Sequence, residues 1–203
     1  DRTEKDKFME LCKFSEGLLN QAGDATMELW KGEMPVPDGM ESALYHFLVR
    51  YYYIPESPYN FAVLDGRRLR GFLLAAPAAM PERHDSAREW IQPHLTNDAR
   101  KAFFKEYWDY VNSNSDAERR AALPGEVLLL LFGSLQRGCG RIMMDAFESE
   151  CRKNGVGSYL LWTDETCDFE YYRKNRFTAV AHFPCAAAIK GKHLETWLFR
   201  KTL

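Results

Sequence analysis

The sequence predicts an α/β domain in which helices flank a sheet, and two patterns indicate this class. Asp65-Gly66 separates two apolar runs, residues 60–64 and 69–75, an arrangement typical of an antiparallel β-hairpin. Farther along, residues 126–163 contain an apolar run, an amphipathic helical pattern and a second apolar run. That is the order of a βαβ unit.

Composition favours one compact domain spanning residues 1–203. The chain has 203 residues, of which 46% are hydrophobic and 14% aromatic, enough to build one core. Its 27 Lys and Arg residues nearly balance 29 Asp and Glu residues, which leaves a net charge of −2. Nucleic acid is not expected as the main ligand, because such affinity comes from a basic face that neutralises phosphates.

No segment predicts a membrane span or a metal site. The longest apolar stretch, residues 72–80, is interrupted by Pro77 and is shorter than the ~20 residues that a bilayer requires. Residues 1–7 are polar and of mixed charge, unlike a secretory signal, so we expect a cytoplasmic protein. The cysteines lack a Cys-x-x-Cys pair and the histidines lack ligand spacing, which predicts neither disulfides nor a bound metal.

The first part of the chain predicts two helices before the hairpin. Apolar residues recur at helical spacing over residues 8–22, and Gly23 follows where a helix stop belongs. A second helix is indicated over residues 44–51 and should end before Pro55. The hairpin should use a type I′ turn at Asp65-Gly66, since both residues tolerate a positive φ.

Residues 81–125 lack the apolar runs of the strands predicted on either side, and they predict a helical insertion in the sheet. Thr96-Asn97-Asp98 supplies candidate N-cap residues. An aromatic face follows at helical spacing, made of Phe103, Phe104, Tyr107, Trp108 and Val111. Such a stripe is usually buried, so core packing is favoured over a lid on a binding site, and both interpretations stay open.

The second half of the chain predicts strands around one helix. The helix carries apolar residues on one face from Met143 to Cys151 and should stop at Lys153-Asn154-Gly155. The apolar run that precedes it is typical of a strand buried on both faces. Strands are predicted at residues 126–132, 158–163, 177–183 and 194–199.

Two glycines at the start of that helix, Gly138 and Gly140, carry the main chemical signal. A Gly-x-Gly turn between strand and helix lets a ligand approach the backbone, and the unpaired N–H groups at the helix start stabilise a phosphate. A Rossmann site would need a third glycine, where Met143 stands. The pattern indicates a pyrophosphate site or, alternatively, only a tight turn.

Two motifs resemble those of the GCN5-related N-acetyltransferase (GNAT) family. The family signature, Gln or Arg, two residues, Gly, one residue, then Gly or Ala, is matched at Gly138 and Gly140, with Leu135 at its first position. Residues 169–177 look like the family's aromatic-Tyr-x-x-x-Gly-Phe segment. Arg176 replaces the usual Gly, so we expect a differently built turn, and Asp168 stands where many members have Asn.

The resemblance implies a mixed, mostly antiparallel central sheet flanked by helices, with residues 81–125 inserted between strands three and four. It also implies acetyl-CoA as the co-substrate, bound where strand four splays from strand five. The backbone from Leu130 to Phe132 would pair with the pantetheine amides. The resemblance implies further cofactor-binding residues, namely Arg137, Gly138, Cys139, Gly140, Arg141 and Asp168.

The family's chemistry also implies a proton donor and a base. Tyr172 would protonate the departing CoA thiolate, the alternative being a packed aromatic residue. Glu126, at the start of strand four, would accept the proton of the amine. Asp164 and Glu165 are alternative bases, and each of the three carboxylates could also be a solvated charge at a strand end.

The resemblance therefore implies an N-acetyltransferase that moves the acetyl group of acetyl-CoA to a small-molecule amine by direct attack in a ternary complex. A route through Cys139 or Cys167 is disfavoured, since neither has a recognisable His and Asn or Asp partner. Alternatives are a non-catalytic acyl-CoA sensor or interaction module, and an acyltransferase for a longer acyl chain or a protein amino group. The oligomeric state stays open, a homodimer included.

Glu106 and Asp109 are expected near the acceptor entrance, where they would favour a cationic amine.

Overall fold

The computed structural model describes residues 9–81, 84–167 and 169–203 and contains, within them, one seven-stranded sheet. The strands are β1 (Met9–Lys13), β2 (Phe61–Asp65), β3 (Arg68–Pro77), β4 (Val127–Ser134), β5 (Ser158–Asp164), β6 (Thr178–Pro184) and β7 (Glu195–Thr202). The α-helices are α1 (Leu19–Trp30), α2 (Glu41–Tyr52), α3 (His84–Ile91), α4 (Asp98–Ala121), α5 (Cys139–Lys153) and α6 (Phe169–Lys174).

The strands lie in the order β1-β2-β3-β4-β5-β7-β6. All neighbouring pairs are antiparallel except β4 and β5, which are the parallel strands of the β4-α5-β5 unit. The mixed, mostly antiparallel sheet and the βαβ unit expected from the sequence are therefore confirmed.

Two hydrophobic cores form because successive residues of each central strand point to opposite faces of the sheet. Leu128 and Leu160 belong to one core, which is covered by α1, α2, α3 and α4. Val127 and Tyr159, their chain neighbours, belong to the other, which is covered mainly by α5. The continuous apolar runs of β4 and β5 follow from this burial on both faces.

The hairpin between β2 and β3 is confirmed, but the type I′ turn is wrong. Asp65 is still paired with Arg68, so the two central turn residues are Gly66 and Arg67. Gly66 has a φ of 61°, whereas Arg67 is not among the residues with positive φ. A type I′ turn requires positive φ at both central positions.

The first element differs from the sequence prediction. Residues 9–13 form β1, which pairs along its length with β2, and the helix begins only at Leu19. Gly23 lies inside α1 rather than after it. A glycine is needed at this position because a Cβ atom there would lie 2.4 Å from the ring of His46. The glycine lets α1 approach α2 closely, and pairing with β2 overrides the helical spacing of residues 8–22.

The helical insertion is confirmed as α3 and α4. Asn97 caps α4 by accepting a hydrogen bond of 2.9 Å from the backbone N–H of Arg100. Phe103, Phe104 and Tyr107 are buried, and the Phe104 ring meets Phe47 of α2 edge-on at 5.0 Å. The aromatic face of the insertion therefore packs into the core.

Candidate active site

The paired strands β4 and β5 separate soon after they meet. They are in register only at Val127 with Tyr159 and at Leu128 with Leu160. β4 stays paired with β3 up to Ser134, with an irregularity at Leu130, the extra residue between the partners of Leu74 and Ala75. From Leu130 onward the edge of β4 that faces β5 has no paired strand among the described residues, which leaves its peptide groups for a ligand.

The start of α5 lies directly after this open edge. Gly138 is the N-cap residue, and its φ of 95° is a conformation that side chains other than glycine rarely adopt. The N–H of Cys139 donates to Gln136 O at 3.1 Å, and the N–H of Ile142 begins the helical ladder at Gly138 O. The N–H groups of Gly140 and Arg141 precede that ladder and point out of the helix start, where a phosphate is stabilised.

The glycines keep this helix start open. A Cβ atom at Gly140 would lie 3.2 Å from the Phe132 ring, so a larger residue would crowd the end of β4. At Gly138 the nearest atom to an added Cβ is the Met9 methyl at 3.8 Å. Arg137 is exposed and the Arg141 side chain is 88% exposed, so both reach solvent beside the helix start.

A cavity of about 140 Å³ opens where β4 and β5 diverge. The end of α1, the helices α2 and α4, and both strands form its walls. Its aromatic lining is Trp30, Tyr45, Tyr52, Tyr107, Tyr110, Phe132, Trp162 and Tyr172. Its two carboxylates are Glu33 and Asp164, and no Lys, Arg or His belongs to the described lining.

Asp164 is a buried carboxylate at the end of β5. It is only 4% exposed, and Tyr110 of α4 donates a hydrogen bond to its Oδ2. Its Oδ1 accepts hydrogen bonds from the Thr166 backbone N–H at 2.8 Å and the Thr166 hydroxyl at 2.5 Å. All three donors are neutral, so these hydrogen bonds bring no positive charge to the carboxylate.

Glu33 is an exposed residue in the turn after α1 and reaches the rim of the same cavity. Partial burial, and then the negative charge of Asp164, raise the pKa of Glu33 above its ordinary value. Sequence reasoning missed this residue. Nothing in the local pattern Gly32-Glu33-Met34 marks it, since it meets Asp164 only through the fold.

Tyr172 projects from α6 and lines the cavity. Its ring stacks on Phe199 of β7 at 5.3 Å with an angle of 26°, and Phe177 meets it edge-on at 5.3 Å. The turn after α6 is closed by the Phe177 N–H donating to Tyr172 O at 3.1 Å. Arg176 itself has a φ of 67°, so the expectation of a differently built turn is wrong: an arginine takes the conformation that suits glycine.

Solved acetyltransferase structures match the chain over nearly all of its length. A GNAT-family protein from Desulfovibrio desulfuricans matches with a TM-score of 0.56 and 11% identity, covering 96% of this chain and 98% of its own. The ribosomal-protein-S18-alanine N-acetyltransferase of Escherichia coli gives 0.54 and 11%, covering 96% and 93%. The polyamine N-acetyltransferase of Drosophila melanogaster gives 0.54 and 13%, covering 96% and 100%. The chain has the GNAT fold.

Sequence comparison adds nothing to this assignment. No protein-family model matches the chain, and no curated protein matches it. The three structures named above share 11 to 13% identity with this chain, a level at which the common feature is the fold. Function has to be argued from the site.

The structure places Glu126 away from the cavity. Arg200 donates to both of its oxygens, at 2.6 and 3.1 Å, and Ser158 donates at 2.6 Å. The Leu123 backbone N–H donates at 2.7 Å, and the side chain is 2% exposed. Burial alone would raise the pKa of Glu126, but these hydrogen bonds outweigh it and lower the pKa. Glu126 closes the start of β4 against β7, and its assignment as the base is therefore replaced.

Other carboxylates of the sequence hypothesis also lie elsewhere. Glu165 is exposed and pairs with Lys192 at 3.0 Å. Glu106 accepts a hydrogen bond of 2.7 Å from the Lys190 backbone, and Asp109 pairs with Lys105 at 2.7 Å. None of them lines the cavity, so the structure gives no support to an acceptor entrance at Glu106 and Asp109. Asp168 lies outside the described residues.

The insertion contributes aromatic groups to the cavity instead of carboxylates. Tyr107, Tyr110 and Val111 of α4 form part of its wall. Burial raises the pKa of the Tyr107 phenol, and burial followed by the charge of Asp164 raises that of Tyr110. Both phenols therefore stay protonated at neutral pH. The core-packing interpretation of this helix is confirmed, and the same helix lines the cavity, whereas its role as a lid stays a prediction.

The two candidate cysteines do not form a nucleophilic site. Cys139 is the first residue of α5 and is buried, and this burial raises the pKa of its thiol. Cys167 lines the cavity, but burial and the charge of Asp164 raise its pKa as well. Because the thiolate is the nucleophile, these shifts work against an acyl-cysteine.

The residues present fit a CoA thioester. The open edge of β4 from Leu130 to Phe132 offers peptide groups for amides, and the start of α5 offers N–H groups and two exposed arginines for phosphates. The same edge leads into the cavity, because Leu130 and Phe132 also line it. Among the described residues, no group of three or more His, Cys, Asp and Glu side chains could hold a metal ion, and no helix could span a membrane.

Proposed function

We propose that the chain is an N-acetyltransferase that uses acetyl-CoA and acts on a small-molecule amine. The observation that carries the proposal is the continuity of two sites. The phosphate-binding helix start and the open β4 edge lead directly into an acidic, aromatic cavity, and Phe132 contributes to both. A ligand that spans them would present its thioester to a molecule bound in the cavity.

The reaction is a direct transfer. The amine nitrogen forms a bond to the acetyl carbonyl carbon, and the bond between that carbon and the CoA sulfur breaks. The amine arrives as an ammonium ion and must lose one proton before the attack and a second afterwards. One proton goes to the leaving thiolate, and one is released to solvent.

Glu33 is the proposed base and Tyr172 the proposed acid. Both oxygens of Asp164 already accept hydrogen bonds, whereas Glu33 reaches the rim, where a released proton can pass to water. The raised pKa of Glu33 lies closer to neutral pH than that of an ordinary carboxyl group, and a general base works best when its pKa is near the working pH. Tyr172, the residue matching the family's proton donor, lines the same cavity.

The test is steady-state release of free CoA thiol from acetyl-CoA on addition of amines. We expect release that depends on an amine, and a decrease of kcat by a factor of about 10² or more in Glu33→Gln, the scale for loss of a general base. Glu28→Gln is the matched control, since Glu28 is an exposed carboxylate near the end of α1 and does not line the cavity. Normal turnover of Glu33→Gln would remove Glu33 from the mechanism. Binding of acetyl-CoA without release would indicate an acyl-CoA sensor.

A further inference from the structure

We infer that the acceptor is a compact arylalkylamine, a molecule with one aromatic ring and one primary ammonium group. The inference rests on the proposed function and specifies its acceptor. Three properties of the cavity carry it: the charge of its polar groups, the size and composition of its walls, and two hydroxyl groups without a well-formed hydrogen bond.

Charge selects a cation. Asp164 is only 4% exposed, and the three groups that donate hydrogen bonds to it are neutral. The described lining of the cavity contains no basic side chain. A buried carboxylate is costly unless a cation accompanies it. An ammonium group in the cavity would supply that cation.

The two carboxylates act on one cation rather than on two separate cations. Glu33 and Asp164 both line this one cavity of about 140 Å³, so the two carboxylates border the same space. A polyamine would bring further charges, and these would have to lie against aromatic and aliphatic side chains such as Leu48, Val111 and Leu161. One ammonium group fits this arrangement better.

The walls select a ring. About 140 Å³ is close to the ~150 Å³ cavity that takes up benzene in an engineered protein core. Trp30 of α1 and Trp162 of β5 line the same space, together with tyrosines from α2 and α4. Aromatic rings pack well on one another and also attract a cation over their faces. An extended peptide would need a longer open groove.

Two buried hydroxyls point to a polar group on the ligand. Tyr52 and Thr163 both line the cavity, and each is 3% exposed. The Tyr52 hydroxyl lies near Ser115 and the Glu118 carboxylate, which do not line the cavity, whereas the Thr163 hydroxyl lies near the Cys167 sulfur, which does. Neither the Tyr52–Ser115 pair nor the Thr163–Cys167 pair has good hydrogen-bond geometry. Buried polar groups normally have partners. A hydroxyl on the aromatic ring would satisfy one of them.

The experiment compares kcat/KM for four acceptors at saturating acetyl-CoA: tyramine, 2-phenylethylamine, spermidine and a hexapeptide with a free amino terminus. We expect both arylalkylamines to exceed spermidine and the peptide at least tenfold, and tyramine to exceed 2-phenylethylamine by a further factor of about 2 to 10, the range for one neutral hydrogen bond. Preference for spermidine or the peptide would overturn the inference and leave the acetyltransferase proposal intact. Absence of CoA release with every amine would overturn the acetyltransferase proposal itself.

Binding without turnover provides an independent readout. Trp30 and Trp162 line the cavity, so tryptophan fluorescence should change on addition of tyramine. It should not change with 3-(4-hydroxyphenyl)propanoate, which has the same ring and a negative charge. Equal binding of the anion would overturn the charge argument.

Two variants locate the effect. Asp164→Asn should lower kcat/KM for tyramine at least 30-fold with KM for acetyl-CoA unchanged, whereas Glu165→Gln, its exposed neighbour outside the cavity, should not. Since Asp164→Asn could impair folding, Tyr52→Phe is the second variant, because it removes one hydroxyl. Either Tyr52→Phe or Thr163→Val should abolish the advantage of tyramine over 2-phenylethylamine, since the ring hydroxyl is expected to meet one of these two hydroxyls. Retention of that advantage in both Tyr52→Phe and Thr163→Val would contradict the hydroxyl argument.

Discussion

At the residue scale, the two carboxylates of the cavity differ in how their oxygens are used. Asp164 is buried and accepts three hydrogen bonds from Tyr110 and Thr166, which fixes its position. Glu33 is exposed at the rim and bears a raised pKa. This division suits Asp164 to holding the ammonium group and Glu33 to removing its proton.

The pH dependence of kcat/KM should report this division. Glu33 must be ionised to act as a base, so activity should rise with pH through its pKa, which lies above the ordinary carboxyl value. The negative charge of Asp164 is one cause of that elevation, and removing it lowers the pKa of Glu33. The acidic limb of the Asp164→Asn profile should therefore shift to lower pH, at whatever residual rate the variant shows. An unmoved limb would contradict Glu33 as the titrating group.

Tyr172→Phe should lower kcat about 10²-fold and leave the affinity for acetyl-CoA nearly unchanged, as expected for loss of a general acid. The phenylalanine ring would keep the packing on Phe199 and Phe177. Tyr171→Phe is the control, because Tyr171 is the neighbouring tyrosine of α6 and is not part of the cavity. Wild-type turnover in Tyr172→Phe, measured with the preferred acceptor, would make this tyrosine structural.

At the scale of elements, the β4-α5-β5 unit carries most of what could be predicted from the sequence. Local signals predict its strand-helix-strand order, the helix start at Gly138-x-Gly140 and the helix end before Gly155. The structure confirms these elements. Residues 8–22 could not be assigned correctly, since β1 exists only through its pairing with β2. The cavity was also out of reach, because Glu33, Tyr52, Tyr110 and Asp164 come together only in the folded chain.

The start of α5 can be tested with a pair of glycine variants. At 100 times Kd, acetyl-CoA should stabilise the wild type by about 2.7 kcal/mol. For a chain of this size that is a rise in Tm of roughly 5–11 °C. Gly138→Val should lose most of the rise, because a β-branched residue at a φ of 95° distorts the helix start. Gly155→Val imposes similar strain at a φ of 72° beyond the other end of α5 and should keep it. Equal shifts in both folded variants would remove this site from acetyl-CoA binding.

At the scale of the whole molecule, the central sheet separates two cores, and its parallel pair opens into the cleft. The paired end of β4 is held by the Glu126–Arg200 ion pair, which connects the start of β4 to β7. The inserted helix α4 covers the open end and supplies a cavity wall. The cleft is therefore wedge-shaped, because β4 and β5 are held together at one end and diverge at the other.

Glu126→Gln should destabilise the fold rather than impair chemistry. Breaking a buried ion pair costs about 3–5 kcal/mol, which denaturant unfolding at pH 7 should detect. The pKa of Glu126 is lower in the folded than in the unfolded chain, so its stabilisation is present above the unfolded value and is lost as pH falls through the folded value. The difference between wild type and variant should therefore shrink below about pH 4. A folded, fully stable variant that lacks acetyl transfer would restore Glu126 as a catalytic candidate.

The most direct test of the central claim, that one cleft binds acetyl-CoA and an amine together, is an initial-velocity study with both concentrations varied. Free CoA thiol and acetylated tyramine would be measured in the same reactions. We expect the two products in a 1:1 ratio and double-reciprocal lines that intersect, as direct transfer in a ternary complex requires. Parallel lines would indicate an acyl-enzyme, and acetyl-CoA that raises Tm without any amine-dependent CoA release would contradict the account.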